Sequence, residues 1–213
     1  MDKGTISDMK RVVFPGQIHV VTSQEETERC VDYLLTQNVL GFDTETRPAF
    51  KKGTHFTCSL LQVATDDCCY LFRLNLTGMT PAIIRLLTDK TVTKVGLAWK
   101  NDTLSLHELQ AFEPGSFIEL QDMVNQIGIE DKSLVKIYAN LFQERISKAE
   151  RLSNWERDVL KDSQKMYAAI DAWACVRIYR ELLRLEETGD YELVIVPEEE
   201  KLQYDETSIS ETW

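Results

Sequence analysis

Short apolar runs bounded by turn-forming residues predict β-strands in the first half of this chain of 213 residues. The runs cover residues 39–45, 58–64, 69–74, 93–99 and 117–120, and two extended pieces around Pro15-Gly16 precede them between residues 11 and 21. Thr65-Asp66-Asp67 separates two of the runs, which favours an antiparallel hairpin at that point.

Apolar positions three or four residues apart predict helices between these strands and through most of the second half. Thr22-Ser23-Gln24-Glu25 is interpreted as a capping box for a helix that ends before Val39, and Thr80-Pro81 opens a helix that runs through Leu87. Further helices are predicted from Asn101 to Gln110, up to Gln126, from Ser133 to Phe142 and from about Asp162 to Glu187, with residues 143–160 irregular. This alternation favours a single α/β domain over residues 1–197, with a mixed central sheet flanked by helices.

The composition excludes several classes of protein. Hydrophobic residues make up 43% and charged residues 28% of the chain, as in ordinary globular domains. Five cysteines without a C-x-x-C pair argue against a disulfide scaffold and a structural zinc site. No apolar run approaches the roughly 20 residues that cross a bilayer, and no secretory signal is visible. We therefore expect no membrane association and a location in the cytoplasm, or in the nucleus of a eukaryotic cell.

Acidic residues dominate the charge. The net charge is −11, and residues 198–213 hold six acids against Lys201, which predicts a mobile acidic tail. A general nucleic-acid coating protein is excluded, because such binding is driven by basic surface. An acidic enzyme can still act on nucleic acid if metal ions neutralise its site and a basic rim steers the substrate.

One pair of acids follows an apolar strand. Asp43 and Glu45 are two residues apart, so strand alternation points both carboxylates to the same side. Two like charges this close repel each other, and a divalent cation would convert that cost into binding free energy. For this pair taken alone, a strand end that reaches solvent is the favoured explanation.

Two further acidic positions stand later in the chain. Asp102 lies at a predicted strand-to-helix junction, where it or Asn101 would also serve as a helix cap. Tyr167 and Asp171 are four residues apart and share one face of the last helix. Alanines surround them and would let this helix lie close to the sheet. An aspartate in such a setting is costly unless it is paired.

Taken together, the order Asp-x-Glu, then Asp, then Tyr-x-x-x-Asp resembles the DEDD superfamily of 3'-5' exonucleases, in its tyrosine branch. The segments that carry the resemblance are Gly41 to Pro48, Leu60 to Ala64, Lys94 to Asp102, Ser153-Asn154-Trp155, Gln164, and Tyr167 to Ala172. The resemblance covers residues 17–190 and is close to the Werner-type and RNase D group. The histidine branch is excluded, because Met166 occupies its histidine position. Lys161 stands where the family often has a capping threonine, so the cap is expected from elsewhere, for example from Asp162.

The resemblance implies an RNase H-like fold and a metal-dependent hydrolase. Two divalent ions, Mg²⁺ or Mn²⁺, would be held by Asp43, Glu45, Asp102 and Asp171, and Tyr167 would orient the attacking water. The substrate would be DNA or RNA with a free 3' end, and the products would be nucleoside 5'-monophosphates. Two alternatives stay open: a catalytically silent nucleic-acid or protein-binding module of the same fold, and another metal-dependent phosphoesterase.

Candidate substrate contacts surround these acids. They are Thr44 and Asn101 beside the acids, the basic loop residues Lys51, Lys52, Lys148 and Arg151, and Trp155 as a stacking platform. Solvated charged loops are the alternative for the basic residues. Trp99 is predicted to pack in the core, and Gln62 to make structural hydrogen bonds.

Overall fold

The structure is a computed structural model that describes residues 1–193. In this part of the chain the strands are Lys10–Arg11 (β1), Gln17–Val21 (β2), Val39–Thr46 (β3), Cys58–Ala64 (β4), Cys68–Phe72 (β5), Thr93–Gly96 (β6), Phe117–Glu119 (β7) and Glu144–Arg145 (β8). The helices are Lys3–Asp8 (α1), Gln24–Leu34 (α2), Leu74–Thr77 (α3), Pro81–Thr88 (α4), Trp99–His107 (α5), Leu120–Gln126 (α6), Leu134–Phe142 (α7) and Asp162–Thr188 (α8).

A six-stranded mixed sheet forms the centre, in the order β2-β5-β4-β3-β6-β7. Strands β3, β4 and β5 are antiparallel neighbours, which confirms the predicted hairpin, whereas β3, β6 and β7 run parallel. The short strands β1 and β8 pair separately. The predicted α/β class with a mixed sheet flanked by helices is therefore confirmed.

Helices cover both faces of the sheet. Helix α8 packs with α6 and α7 on the face that carries Leu60, Leu71 and Val95. Helices α2 and α4 pack on the other face, against Phe42 and Leu61. Each strand of the centre thus buries both of its sides, which accounts for its nearly continuous apolar sequence.

Helix α8 lies unusually close to strand β3. Its segment from Ala168 to Val176 is buried without interruption. At Gly41 on β3, a Cβ atom would come within 1.9 Å of the carbonyl oxygen of Ala172. The glycine and the small helix residues together let the backbones of the helix and the strand approach each other.

Several predicted boundaries were wrong. The apolar run at residues 93–99 forms a strand only as far as Gly96. Helix α5 begins at Trp99 instead of Asn101, because Ala98 before it adopts a left-handed conformation with φ of 54°. The capping box lies one residue later than predicted: the Ser23 side chain accepts from the Glu26 N–H, and Glu26 accepts from the Thr22 N–H. The short elements α1, α3 and β8 were not predicted, because none of them coincides with an apolar run or is long enough to show a helical period.

Two other predictions concern the C-terminal tail and membrane association. The boundary at residue 197 and the acidic tail 198–213 lie outside the described residues. Among residues 1–193, no helix combines the length and the apolar character that crossing a membrane requires.

Candidate active site

Three of the four predicted acids meet between β3 and α8. Asp43 and Glu45 lie on the face of β3 that packs against α8, and Asp171 on the helix faces them. One carboxylate oxygen from each of the three residues lies within 4.8 Å of the others. Asp171 is only 7% exposed, whereas Asp43 and Glu45 are half-buried, so the crowded carboxyl groups keep some access to water.

The fourth acid, Asp102, reaches the same region from the first turn of α5. Its carboxylate accepts a hydrogen bond of 2.6 Å from the hydroxyl of Thr44, the residue between the two acids of β3. After the larger effect of burial, the charge of Asp102 also raises the pKa of Asp43. Neither Asn101 nor Asp102 caps the helix, because the N-cap position is Ala98.

The junction that holds Asp102 depends on a residue that sequence reasoning missed. The Glu119 carboxylate accepts from the backbone N–H of Ala98 at 2.9 Å and from that of Gln121 at 3.1 Å. It thereby fixes the left-handed turn before α5 and the start of α6. No local pattern identifies Glu119, because its partner Ala98 is 21 residues away in the sequence.

Burial raises the pKa of all four acids. It raises the pKa of Asp43 well above its usual range, that of Glu45 to about 9, that of Asp171 to about 7 and that of Asp102 to about 6. Repulsion from neighbouring carboxylates adds to the shift at Asp43 and Glu45. The cluster thus resists full ionisation unless positive charge compensates it.

Tyr167 lies next to these acids on α8. Its pKa is raised, first by burial and then by the negative charge of Asp171, so the phenol is neutral at physiological pH. The Tyr167 hydroxyl in turn lowers the pKa of Asp171, against the larger effect of burial. The hydroxyl is therefore a neutral proton donor beside the acidic cluster.

Trp155 supports this tyrosine and does not provide the predicted stacking platform. Its side chain is completely buried, with its ring centroid 6.0 Å from that of Tyr167. A ring without an open face has no room for a base. The predicted substrate contact of Trp155 is therefore wrong, whereas Trp99 packs in the core as predicted, stacked on Phe117 at 4.8 Å.

Long-range polar contacts hold the segment that precedes α8. The buried guanidinium of Arg73 donates to the carbonyl oxygens of Arg157 and Asp158. Arg47, directly after β3, forms an ion pair of 3.1 Å with Glu156. Residues 143–160 are thus largely irregular, as predicted, but they are fixed against the sheet.

The cap of α8 comes from within the helix. The side chain of Gln164 accepts from the N–H of Lys161 at 3.1 Å and donates to the carbonyl oxygen of Asn154 at 3.2 Å. It therefore closes the first turn and ties it to the preceding segment. The expectation that Asp162 supplies the cap was wrong, since its carboxylate pairs with Lys165.

The basic residues predicted to contact substrate lie on the surface. Lys51, Lys52, Lys148 and Arg151 are all exposed, and so is Asn101. Among these residues Arg151 is linked to the acids, because its charge lowers the pKa of Glu45. The hydroxyl of Thr44 is engaged with Asp102, which is the contact the structure shows for this residue.

The donor set suits hard divalent cations. Asp43, Glu45, Asp102 and Asp171 offer only carboxylate oxygens, which are ligands that Mg²⁺ and Mn²⁺ prefer. Soft ligands are absent from the acidic cluster found within residues 1–193. Crowded carboxylates with raised pKa values are typical of a site whose negative charge is neutralised by a bound cation.

Comparison with known proteins agrees with this arrangement. A family model described as 3'-5' exonuclease matches residues 18–186. The mouse "Bifunctional 3'-5' exonuclease/ATP-dependent helicase WRN" is 31% identical over 158 residues, which are 71% of this chain and 11% of that protein. The Drosophila melanogaster "Exonuclease 3'-5' domain-containing protein 2" is 30% identical over 185 residues, 85% of this chain and 31% of that protein. The chain thus spans a third or less of the length of these two relatives.

The fold has a close counterpart among solved structures. Escherichia coli RNase D, described as an exoribonuclease involved in structured RNA processing, matches with a TM-score of 0.72 and 18% identity. The match covers 80% of this chain and 45% of that chain. The RNase D-like fold and the match of the family model over most of the chain lead to one assignment: the chain belongs to the 3'-5' exonuclease family.

Proposed function

We propose that this chain hydrolyses phosphodiester bonds from the 3' end of nucleic acid, with two divalent cations held by Asp43, Glu45, Asp102 and Asp171. The observation that carries the proposal is the cluster of three carboxylates within 4.8 Å, joined by Asp102 through Thr44. Four acids crowded together for structural reasons alone would add electrostatic repulsion to the folded state without any gain.

The carboxylates and the tyrosine of the site have different roles in the proposed reaction. Bound cations would activate a water molecule and stabilise the leaving 3' oxygen. The four carboxylates would hold those charges in place, with Asp171 buried and Asp43, Glu45 and Asp102 half-buried. The neutral Tyr167 hydroxyl donates a hydrogen bond that orients the nucleophile; its raised pKa excludes it as a base at neutral pH. The product is a nucleoside 5'-monophosphate.

The substrate class follows from the chemistry and from the relatives. RNase D carries the description exoribonuclease, and the mouse relative carries the name 3'-5' exonuclease, which supports nucleic acid as the partner of this chain. Arg151 is the best placed of the basic residues to meet the scissile phosphate, because its charge already acts on Glu45. Lys51, Lys52 and Lys148 would contact phosphates further along the strand.

Digestion of 5'-labelled single- and double-stranded DNA and RNA tests the proposal. With Mn²⁺ or Mg²⁺ we expect ladders that shorten from the 3' end and that disappear with EDTA. Asp171→Asn should abolish the ladder. Asp162→Asn is the matched control, because Asp162 lies on the same helix with a side chain that is 99% exposed, and it should cleave like the parent.

Other outcomes would favour the two alternatives. Binding of the labelled strands without any cleavage would support a silent binding module. Cleavage of free nucleotides or small phosphate esters, with the labelled strands left intact, would support another phosphoesterase. Cleavage that persists after complete removal of metal would contradict the two-metal mechanism.

A further inference from the structure

Gln62 on β4 is a buried polar residue without a partner. Its side chain is fully buried, and neither its amide nitrogen nor its amide oxygen has a hydrogen-bond partner within residues 1–193. The structural hydrogen bonds predicted for this residue are therefore not formed. Buried amides are almost always hydrogen bonded, so this exception calls for an explanation.

The sheet register places Gln62 beside the acidic cluster. Gln62 is directly opposite Asp43 in the antiparallel ladder of β3 and β4. Residues opposite each other in such a ladder point to the same face, with Cβ atoms roughly 5 Å apart. Leu60 and Ala64, two positions away on either side, belong to the core cluster under α8, so Gln62 faces α8 as well.

The side chains nearest to Gln62 on β4 and β5 are apolar. Leu71 lies opposite it on β5, and Leu60 and Ala64 flank it on β4. On the helix above, Ala168 and Ala172 belong to the same cluster. Asp43 is the polar side chain directly opposite Gln62, whereas Glu45 lies opposite Leu60, at a more distant diagonal position. A leucine or methionine would fill the same space without an unpaired amide, so packing does not account for the glutamine.

We propose that Gln62 is a positioning residue for Asp43: in the metal-loaded protein, its amide N–H donates to the carboxylate oxygen of Asp43 that does not face the cation. This inference rests on the proposed metal site. Residues that hydrogen bond to a metal ligand fix its orientation and raise the affinity of the site. The terminal torsion of glutamine is broad, so the amide turns toward the carboxylate without a change of the backbone.

Metal titration of a Gln62→Met variant tests the inference independently of nuclease activity. We expect Mn²⁺ affinity, measured by calorimetry and by the electron paramagnetic resonance signal of free Mn²⁺, to fall about 10- to 100-fold. The melting temperature of the metal-free variant should be unchanged or higher, because no hydrogen bond is lost. Leu71→Met, at the position paired with Gln62 on β5, is the matched control and should bind Mn²⁺ like the parent.

The outcomes separate this inference from the proposed function. If Gln62→Met binds Mn²⁺ as tightly as a parent that binds it well, the positioning role is overturned and the exonuclease proposal stands. A lower melting temperature of the metal-free variant with unchanged Mn²⁺ affinity would show a purely structural amide. A parent that binds no Mn²⁺ would overturn both. Gln62→Leu, with the same expected result, provides a second variant should the methionine fail to fold.

Discussion

At the scale of single residues, the site combines groups with different tasks on one helix. Asp171 contributes a carboxylate with a pKa raised to about 7, and Tyr167 contributes a hydroxyl that stays neutral. The charge of the first is suited to hold a cation, whereas the hydroxyl of the second is suited to orient a water molecule. Because each side chain shifts the pKa of the other, only substitutions that change one property at a time can separate these tasks.

We predict different defects for Asp171→Asn and Tyr167→Phe. The first removes a ligand charge, so both Mn²⁺ affinity and turnover should collapse. The second keeps the ring against Trp155 and removes only the hydroxyl, so metal binding should survive while single-turnover cleavage falls by about 10²-fold. Calorimetry and single-turnover kinetics measure the two properties. Cleavage by Tyr167→Phe at the parent rate would show that the tyrosine is only a packing residue.

At the scale of secondary structure, the site exists because α8 and β3 are in close contact. Asp43 and Glu45 are fixed by the strand and Asp171 by the helix, so the distances among the carboxylates follow from how closely the two elements pack. Gly41 sets that distance, since a Cβ at this position would come within 1.9 Å of the Ala172 carbonyl oxygen. A shift of the helix would move Asp171 and Tyr167 together.

We therefore predict that Gly41→Ala separates the acids. The clash with backbone atoms should destabilise the protein by about 1–3 kcal/mol or more and should weaken Mn²⁺ affinity strongly. Gly78→Ala is the control, because Gly78 has a backbone conformation of φ 66° and ψ −169° with open space around it. Strain there should cost a similar 1–3 kcal/mol and leave Mn²⁺ affinity unchanged. Equal Mn²⁺ affinities in the two variants would contradict the role of Gly41.

At the scale of the whole molecule, the acidic site opposes folding when no cation is bound. The pKa values of Glu45, Asp102 and Asp171 are raised to about 9, 6 and 7, whereas these groups ionise near pH 4 in an unfolded chain. Between these limits the folded protein binds more protons than the unfolded chain, so its stability falls as the pH rises. Carboxylates with lowered pKa, such as Asp131, are already ionised in both states at pH 5 and do not alter this slope.

We predict that the melting temperature of the chelated protein falls between pH 5 and pH 8. Mn²⁺ should raise it, and by more at pH 8 than at pH 5, because the cation binds the ionised carboxylates. Asp171→Asn removes one of the titrating groups and should flatten the dependence in the chelated protein. Differential scanning calorimetry with EDTA or with Mn²⁺ measures all of these effects. A melting temperature that rises from pH 5 to pH 8 without metal would contradict the raised pKa values.

The distribution of charge in the sequence leads to one more prediction. Residues 198–213 carry six of the acids of the chain, and removing them would change the net charge from −11 to −6. Truncation after Pro197 should strengthen binding of a single-stranded oligonucleotide at low salt, with a gain that shrinks as salt screens the repulsion. Fluorescence anisotropy over a range of salt concentrations measures this. An affinity that drops on truncation would show that the segment assists binding.

The sequence by itself was sufficient to predict the central strands, the long last helix, the mixed α/β class and the family. Strand alternation in Asp43-Thr44-Glu45 and helical spacing from Tyr167 to Asp171 are local patterns, because side-chain direction follows from the backbone of a single element. Local patterns predicted the wrong start for the helix that carries Asp102. That start follows a left-handed turn at Ala98, which depends on Glu119, and no pattern around either residue indicates this contact.

Only the tertiary structure decided which of the candidate residues meet and which are accessible. Trp155 is a residue type that stacks on bases, yet its ring is buried against Tyr167. Gln62 is a residue type that makes structural hydrogen bonds, yet its amide has no partner among the described residues and lies opposite Asp43. Burial and distance depend on how elements far apart in sequence pack together. The periodicity of a strand predicts which way a side chain points, but the approach of α8 to β3 determines what that side chain touches.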